Sequence, residues 1–132
     1  MTSIRLDMPI AAPAESVWDA VRDVGAIHTR FVPGFVTDTR LEGNLRTVTF
    51  ETGFIAQELI VDLDGEAMRL AYSVRPNELM SHHHASFQVI PEGETACRLV
   101  WLADFLPPEA EASVRGMMEQ GAAVMKQALA AK

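Results

Sequence analysis

Between residues 35 and 105 the chain is cut at short intervals by turn-forming residues: Glu42-Gly43-Asn44, Thr52-Gly53, Asp64-Gly65 and Pro91-Glu92-Gly93. Connections this short have no room for a crossover helix, so the segments they join must pair antiparallel. The intervening sequence reads as strands over 35–41, 45–51, 54–63, 67–75, 82–90 and 95–105. A further strand is predicted over 2–9, where Ile4 and Leu6 alternate with Arg5 and Asp7 before Pro9. The chain must therefore build most of its mass from one antiparallel sheet.

The apolar period changes in two places. In "APAESVWDAVRDVG" residues Val17, Trp18, Val21 and Val24 recur at helical spacing. Pro13 suits the first helical turn, Glu15 complements the helix dipole, and Gly25 ends the run. A short second helix over about 25–30 precedes the break at Pro33-Gly34. After Pro107-Pro108, Ala110, Val114, Met117, Met118, Gly121, Met125 and Leu129 predict a long helix over about 108–131. A seven-stranded sheet must cover its apolar face, and this helix is the only element large enough to do so. The fold class is α+β, and 132 residues suffice for one domain spanning 1–132 with a sizeable core.

Composition narrows the partners. The formal net charge is −7, with the eleven Lys and Arg scattered, so the basic face that nucleic-acid binding needs is missing. No apolar run approaches the roughly 18 residues required for membrane insertion. The opening "MTSIRLDMPI" alternates from its first residues instead of showing the layout of a secretion signal. Cys97 stands alone in an apolar alternating context, which excludes an intrachain disulfide and fits a cytoplasmic location. Glycine-rich phosphate loops, CxxC pairs and serine nucleophile elbows are absent, and no cofactor is expected.

The words "VWDAVRDVGAI", "PGF", "EGNLRTVTFETGFIAQELIVDLD", "LAYSV" and "VIPEGETACRLVWLADF", in this order and spacing, resemble the START/birch-pollen-allergen (SRPBCC) superfamily. Within it the chain is most similar to the polyketide cyclase/dehydrase and lipid transport family, over essentially its whole length. The resemblance implies a helix-grip fold, in which the sheet wraps around the long C-terminal helix and leaves an internal cavity for apolar ligands. Two short helices would follow strand 1 and plug one end. Members bind lipids, hormones or polyketides, and a few are cyclases or dehydratases.

Strand alternation sorts side chains toward or away from such a cavity. Cys97, Leu99, Trp101, Ala103 and Phe105 should face in, as should Met68, Leu70, Tyr72 and Val74. In "SHHHASFQVI" the parity of Phe87 and Val89 sends His83 and Ala85 inward and His82 and His84 outward. His82 and His84, about 6.5–7 Å apart along one face, have a spacing that can supply two metal ligands. No acidic residue stands beside them at ligand spacing, and His28 is the only other histidine, so a solvated pair and no metal is the expectation.

His83 and Tyr72 on neighbouring strands suit hydrogen bonding to a ligand or acid/base work, against the alternative of a histidine satisfied by backbone. A hairpin turning at Thr52-Gly53 places Arg46 opposite Leu59 and beside Glu58, as either a cavity pair that orients a polar group or a rim ion pair. The facing of strand 54–63 stays open. Gly116 and Gly121 each cost a helix about 1 kcal/mol against alanine, which suggests that space is needed there. Met117, Met118 and Met125 are flexible fillers suited to an adaptable pocket or a soft core.

Two functions fit. One is a module that binds a small hydrophobic molecule through Arg46, Glu58, Tyr72, His83, Phe87, Trp101, Met117, Gly121 and Met125. The other is a cyclase or dehydratase with His83 and Tyr72 as acid/base groups and Arg46 as electrophile. An interaction protein with a collapsed cavity is a third possibility, and a homodimer is compatible with all three. Binding is the preferred expectation.

Overall fold

A computed structural model describes residues 2–131. Its strands are β1 (Thr2–Ile10), β2 (Val36–Glu42), β3 (Leu45–Phe50), β4 (Ile55–Asp64), β5 (Arg69–Val74), β6 (His82–Pro91) and β7 (Cys97–Leu106). Helices α1 (Ala14–Val21) and α2 (Ile27–Arg30) lie between β1 and β2, and α3 (Glu111–Leu129) follows β7 after one 3-10 turn at Pro108–Ala110. The seven strands form one sheet in the order β1-β7-β6-β5-β4-β3-β2. Every pairing is antiparallel, as the short connections require. Only the β1–β7 pairing joins strands that are not consecutive, because β1 crosses to pair with the last strand.

The long helix buries Val114, Met118, Gly121, Ala122, Met125 and Leu129, a stripe at helical spacing. Opposite it, Ile4, Met8, Leu70, Val89, Leu99 and Phe105 are almost fully enclosed on the sheet's inner face. Each such aliphatic or aromatic side chain is worth about 1.5–3 kcal/mol against exposure. Helix α1 packs against β6 and α2 against β2, so the two short helices close over part of the sheet. Pro13 caps α1 through its carbonyl, which accepts from the Ser16 and Val17 amides at 3.1 and 3.2 Å.

Three local expectations require correction. Strand β5 starts at Arg69, not 67, because the Asp64 carboxylate accepts from the Glu66 and Ala67 amides and Met68 adopts φ 52°, a turn conformation no strand can hold. The loop between β3 and β4 is one residue longer than Thr52-Gly53. Phe50 pairs with Phe54 (amide to carbonyl 2.9 Å), leaving Glu51-Thr52-Gly53 as the loop with Gly53 at φ 90°. That shifts the register by one and puts Arg46 opposite Glu58, with Leu59 opposite Leu45. A one-residue slip reverses faces; here it settles that Ala56 and Glu58 point inward while Ile55, Gln57 and Leu59 lie exposed. Finally, nothing lies within 4 Å of a Cβ built on Gly116, so no lack of space explains that glycine.

Among the described residues no helix is long and apolar enough to cross a membrane.

Candidate functional site

The inner face of the sheet is not filled evenly. Tyr72 on β5 is paired with Ala85 on β6, which is paired with Ala103 on β7. Two small side chains in adjacent strands leave a hollow, and larger neighbours lean across it. Trp101, two residues along β7 from Ala103, donates its indole Nε1–H to the Tyr72 hydroxyl at 3.2 Å. Phe87 stacks on Trp101 (centroids 4.8 Å apart, planes 24°) and on Tyr72 (6.1 Å, 17°), while Phe31 from the end of α2 meets Phe87 edge-on at 5.0 Å.

Between these rings and α3 lies a cavity of about 100 Å³. Seven of the chain's nine aromatic side chains line it, all except Trp18 and Phe105. Four methionines complete the wall: Met80 from the β5–β6 loop and Met117, Met118 and Met125 from α3. Aromatic rings offer large apolar area with defined geometry, and thioether chains adapt to shape.

The polar groups in this wall come from adjacent strands. Arg46 and Glu58, facing each other on β3 and β4, form an ion pair with Nε at 2.8 Å and Nη2 at 2.5 Å from Glu58 Oε1. Their side chains are only 4% and 10% exposed. Arg46 also donates from Nη1 to the Val24 carbonyl at 3.3 Å, and its guanidinium carbon sits 5.5 Å from the Tyr72 ring centroid. The pair is buried, not a rim contact, and its members are held mainly by each other. Burial raises the Tyr72 hydroxyl well above the ordinary phenol range, with the charge of Glu58 adding to the effect.

His83 faces inward as alternation predicts, 8% exposed, with its ring 6.3 Å from those of Tyr72 and Phe105. Burial holds its protonation down to about 4, with His82 and His84 contributing in the same direction. Its Nδ1 is sealed from solvent and has no protein hydrogen-bond partner, so the alternative of a backbone-satisfied histidine does not hold for that atom. His82 is exposed and His84 half-buried on the outer side, opposite Leu106 and Asp104. Among the described residues no group of three or more His, Cys, Asp or Glu is arranged to hold a metal ion.

Of the nine residues expected to contact a ligand, eight border this one cavity: Arg46, Glu58, Tyr72, His83, Phe87, Trp101, Met117 and Met125. Gly121 stands behind it. A Cβ there would come within 3.4 Å of both Phe35 Cε2 and Trp101 Cζ3, so the glycine lets two wall rings rest against the helix. Phe50 shares the inner face of β3 with Arg46 and Val48 and was open to alternation but not drawn from it, whereas Phe31, Phe35, Phe54 and Met80 sit beside turns or in a loop. The available signal was compositional: large aromatics flank both Pro33-Gly34 and Thr52-Gly53, where turns ordinarily carry small polar residues.

The family described as polyketide cyclase / dehydrase and lipid transport matches residues 1–131. The chain belongs to this family. The wrapped sheet and long C-terminal helix are accordingly the helix-grip architecture of the START/birch-pollen-allergen superfamily. A Thermobifida fusca protein solved in solution is 30% identical over 98% of this chain and 91% of its own, with a TM-score of 0.80. Protein XoxI from Bacillus cereus is 18% identical, covers 98% and 96%, and has a TM-score of 0.86. Norcoclaurine synthase from Thalictrum flavum is 19% identical over 97% and 93%, at 0.72. The last two show the shared fold alone. None of the curated proteins matches the chain.

Proposed function

We propose that this family member binds a small, largely apolar molecule in the aromatic cavity beneath α3. The observation that carries the reading is the state of the polar groups in the cavity wall. An acid/base catalyst works best with a proton affinity near the operating pH. Here the buried histidine is held near 4 and the tyrosine is driven well above its ordinary value, so both stand away from neutrality in opposite directions. Arg46, the candidate electrophile of a cyclase or dehydratase, is already engaged by Glu58 and the Val24 carbonyl. Groups arranged in this way orient and select a ligand more readily than they move protons.

The cavity volume, about 100 Å³, is of the order of the ~150 Å³ apolar cavity known to take up benzene. Larger occupants require the methionine side chains to rearrange. Calorimetric titration with toluene tests the reading. Saturable binding in the wild type, lost in Ala56→Leu, which fills the cavity from β4, is the expected result. Equal uptake by both proteins would place binding elsewhere. The cyclase reading predicts instead that Arg46→Gln abolishes turnover of a small carbonyl substrate while leaving toluene uptake intact.

A further inference from the structure

Two buried hydrogen-bonding functions among the cavity-lining side chains are left over once the protein's own contacts are made. One is His83 Nδ1, which has no protein partner. The other is the hydroxyl proton of Tyr72, whose oxygen accepts from Trp101 but whose hydrogen has no acceptor among the described residues. The two rings lie 6.3 Å apart, on adjacent strands. A buried nitrogen left without a partner costs about 1–3 kcal/mol, a penalty that a ligand supplying the partner removes. A hydroxyl group is the smallest function that both accepts and donates through one atom.

Charge and shape restrict the rest of the ligand. Arg46 and Glu58 neutralise one another, and among the described residues no other Lys, Arg, Asp or Glu borders the cavity. An anion or cation would enter without a free counter-charge, at a large desolvation cost. The stacked series Tyr72, Phe87 and Trp101 presents flat faces, and the volume admits about one ring.

Resting on the binding function above, we propose that the cavity selects an uncharged single-ring aromatic compound bearing a hydroxyl group, which donates its proton to His83 Nδ1 and accepts one from Tyr72. His83 is then the residue that sets specificity, and the class of ligand is a neutral phenol or benzylic alcohol.

The test compares p-cresol, toluene and 4-methylbenzoate at neutral pH. Wild type is expected to prefer p-cresol to toluene, and His83→Leu to lower that ratio of affinities about tenfold, equivalent to about 1.4 kcal/mol. His83→Gln, which keeps an acceptor, should retain most of the preference. 4-Methylbenzoate should not compete. In the wild type alone, the imidazole ¹⁵N resonance of Nδ1 should move on adding p-cresol and stay in place with toluene. Toluene binding with an unchanged ratio in His83→Leu, or an Nδ1 resonance indifferent to p-cresol, overturns the hydroxyl assignment while leaving the cavity reading intact. Competition by 4-methylbenzoate overturns the requirement for neutrality. If neither toluene nor p-cresol binds the wild type, the cavity reading itself fails.

Discussion

The inner and outer faces of this sheet carry the same residue types under different conditions. On the inner face Arg46 and Glu58 are paired at 4% and 10% exposure; on the outer face Arg98 pairs with Asp7 at 43% and 26%. On the inner face His83 is enclosed among aromatic rings, while its chain neighbours His82 and His84 lie on the outer side. In each case a step of one residue, or of a few strands, decides whether a polar group is merely solvated or is desolvated and constrained. Residue type alone therefore says little about role. Facing supplies most of the information.

The comparison predicts unequal costs. Removing one partner of a buried ion pair leaves the other charge uncompensated, so Glu58→Ala should destabilise by about 3–5 kcal/mol. Asp7→Ala, in the solvated pair, should cost at most about 1 kcal/mol. Urea denaturation of the two variants measures both. Equal losses would remove the distinction between the faces.

The next effect concerns acid. His83 protonates near 4 in the folded protein and near 6.5 in the unfolded chain, so as pH falls the unfolded state takes up the proton first. The stability tied to neutral His83 is complete above about pH 6.5 and is lost as pH falls through to about 4, in total about 3 kcal/mol. The difference between the wild-type and His83→Leu stability curves should change by that amount between pH 7 and 4. Parallel curves would contradict the buried, neutral state assigned to this histidine.

A smaller contrast lies within α3. Gly116 faces open space, so Gly116→Ala should stabilise by roughly 0.5–1 kcal/mol through helix propensity alone. Gly121→Ala gains the same propensity but presses on Phe35 and Trp101, so its net gain should be smaller or negative. It should also weaken toluene binding, because the rings it displaces form the cavity wall. Thermal unfolding and titration of the two variants together separate packing from propensity.

Much of this arrangement is legible in the sequence alone. Strand alternation put His83, Tyr72, Phe87 and Trp101 on the inner face because the polar residues of those strands, Arg69, Ser73, Ser86, Gln88, Arg98 and Asp104, all fall on the other one. It failed at β4, where Phe54, Ala56 and Ile60 compete with Ile55, Leu59 and Val61, and hydrophobicity selects neither face. The outward apolar set is in fact the exposed one: Ile55, Leu59 and Val61 are 57, 43 and 55% accessible. The facing of Glu58 was decided by the three-residue loop ending in Gly53, a matter of turn geometry that a hydrophobic pattern does not encode. Nor could any period announce Phe35 and Met80, which join the cavity from loops. The reading of Gly116 failed for another reason: a costly residue invites an explanation from packing, and this one has open space beside it.

The methionines allow the central claim to be measured where it matters. Met80, Met117, Met118 and Met125 border the cavity, whereas Met8 and Met68 do not. Their methyl groups, with those of Ile55 and Leu59 on the outer face, can be followed by ¹³C-resolved NMR while toluene is added to the protein. Saturable shifts confined to the four cavity methionines are the predicted result. Shifts that fall on Ile55 and Leu59 instead, or no saturable shift at all, would contradict the account.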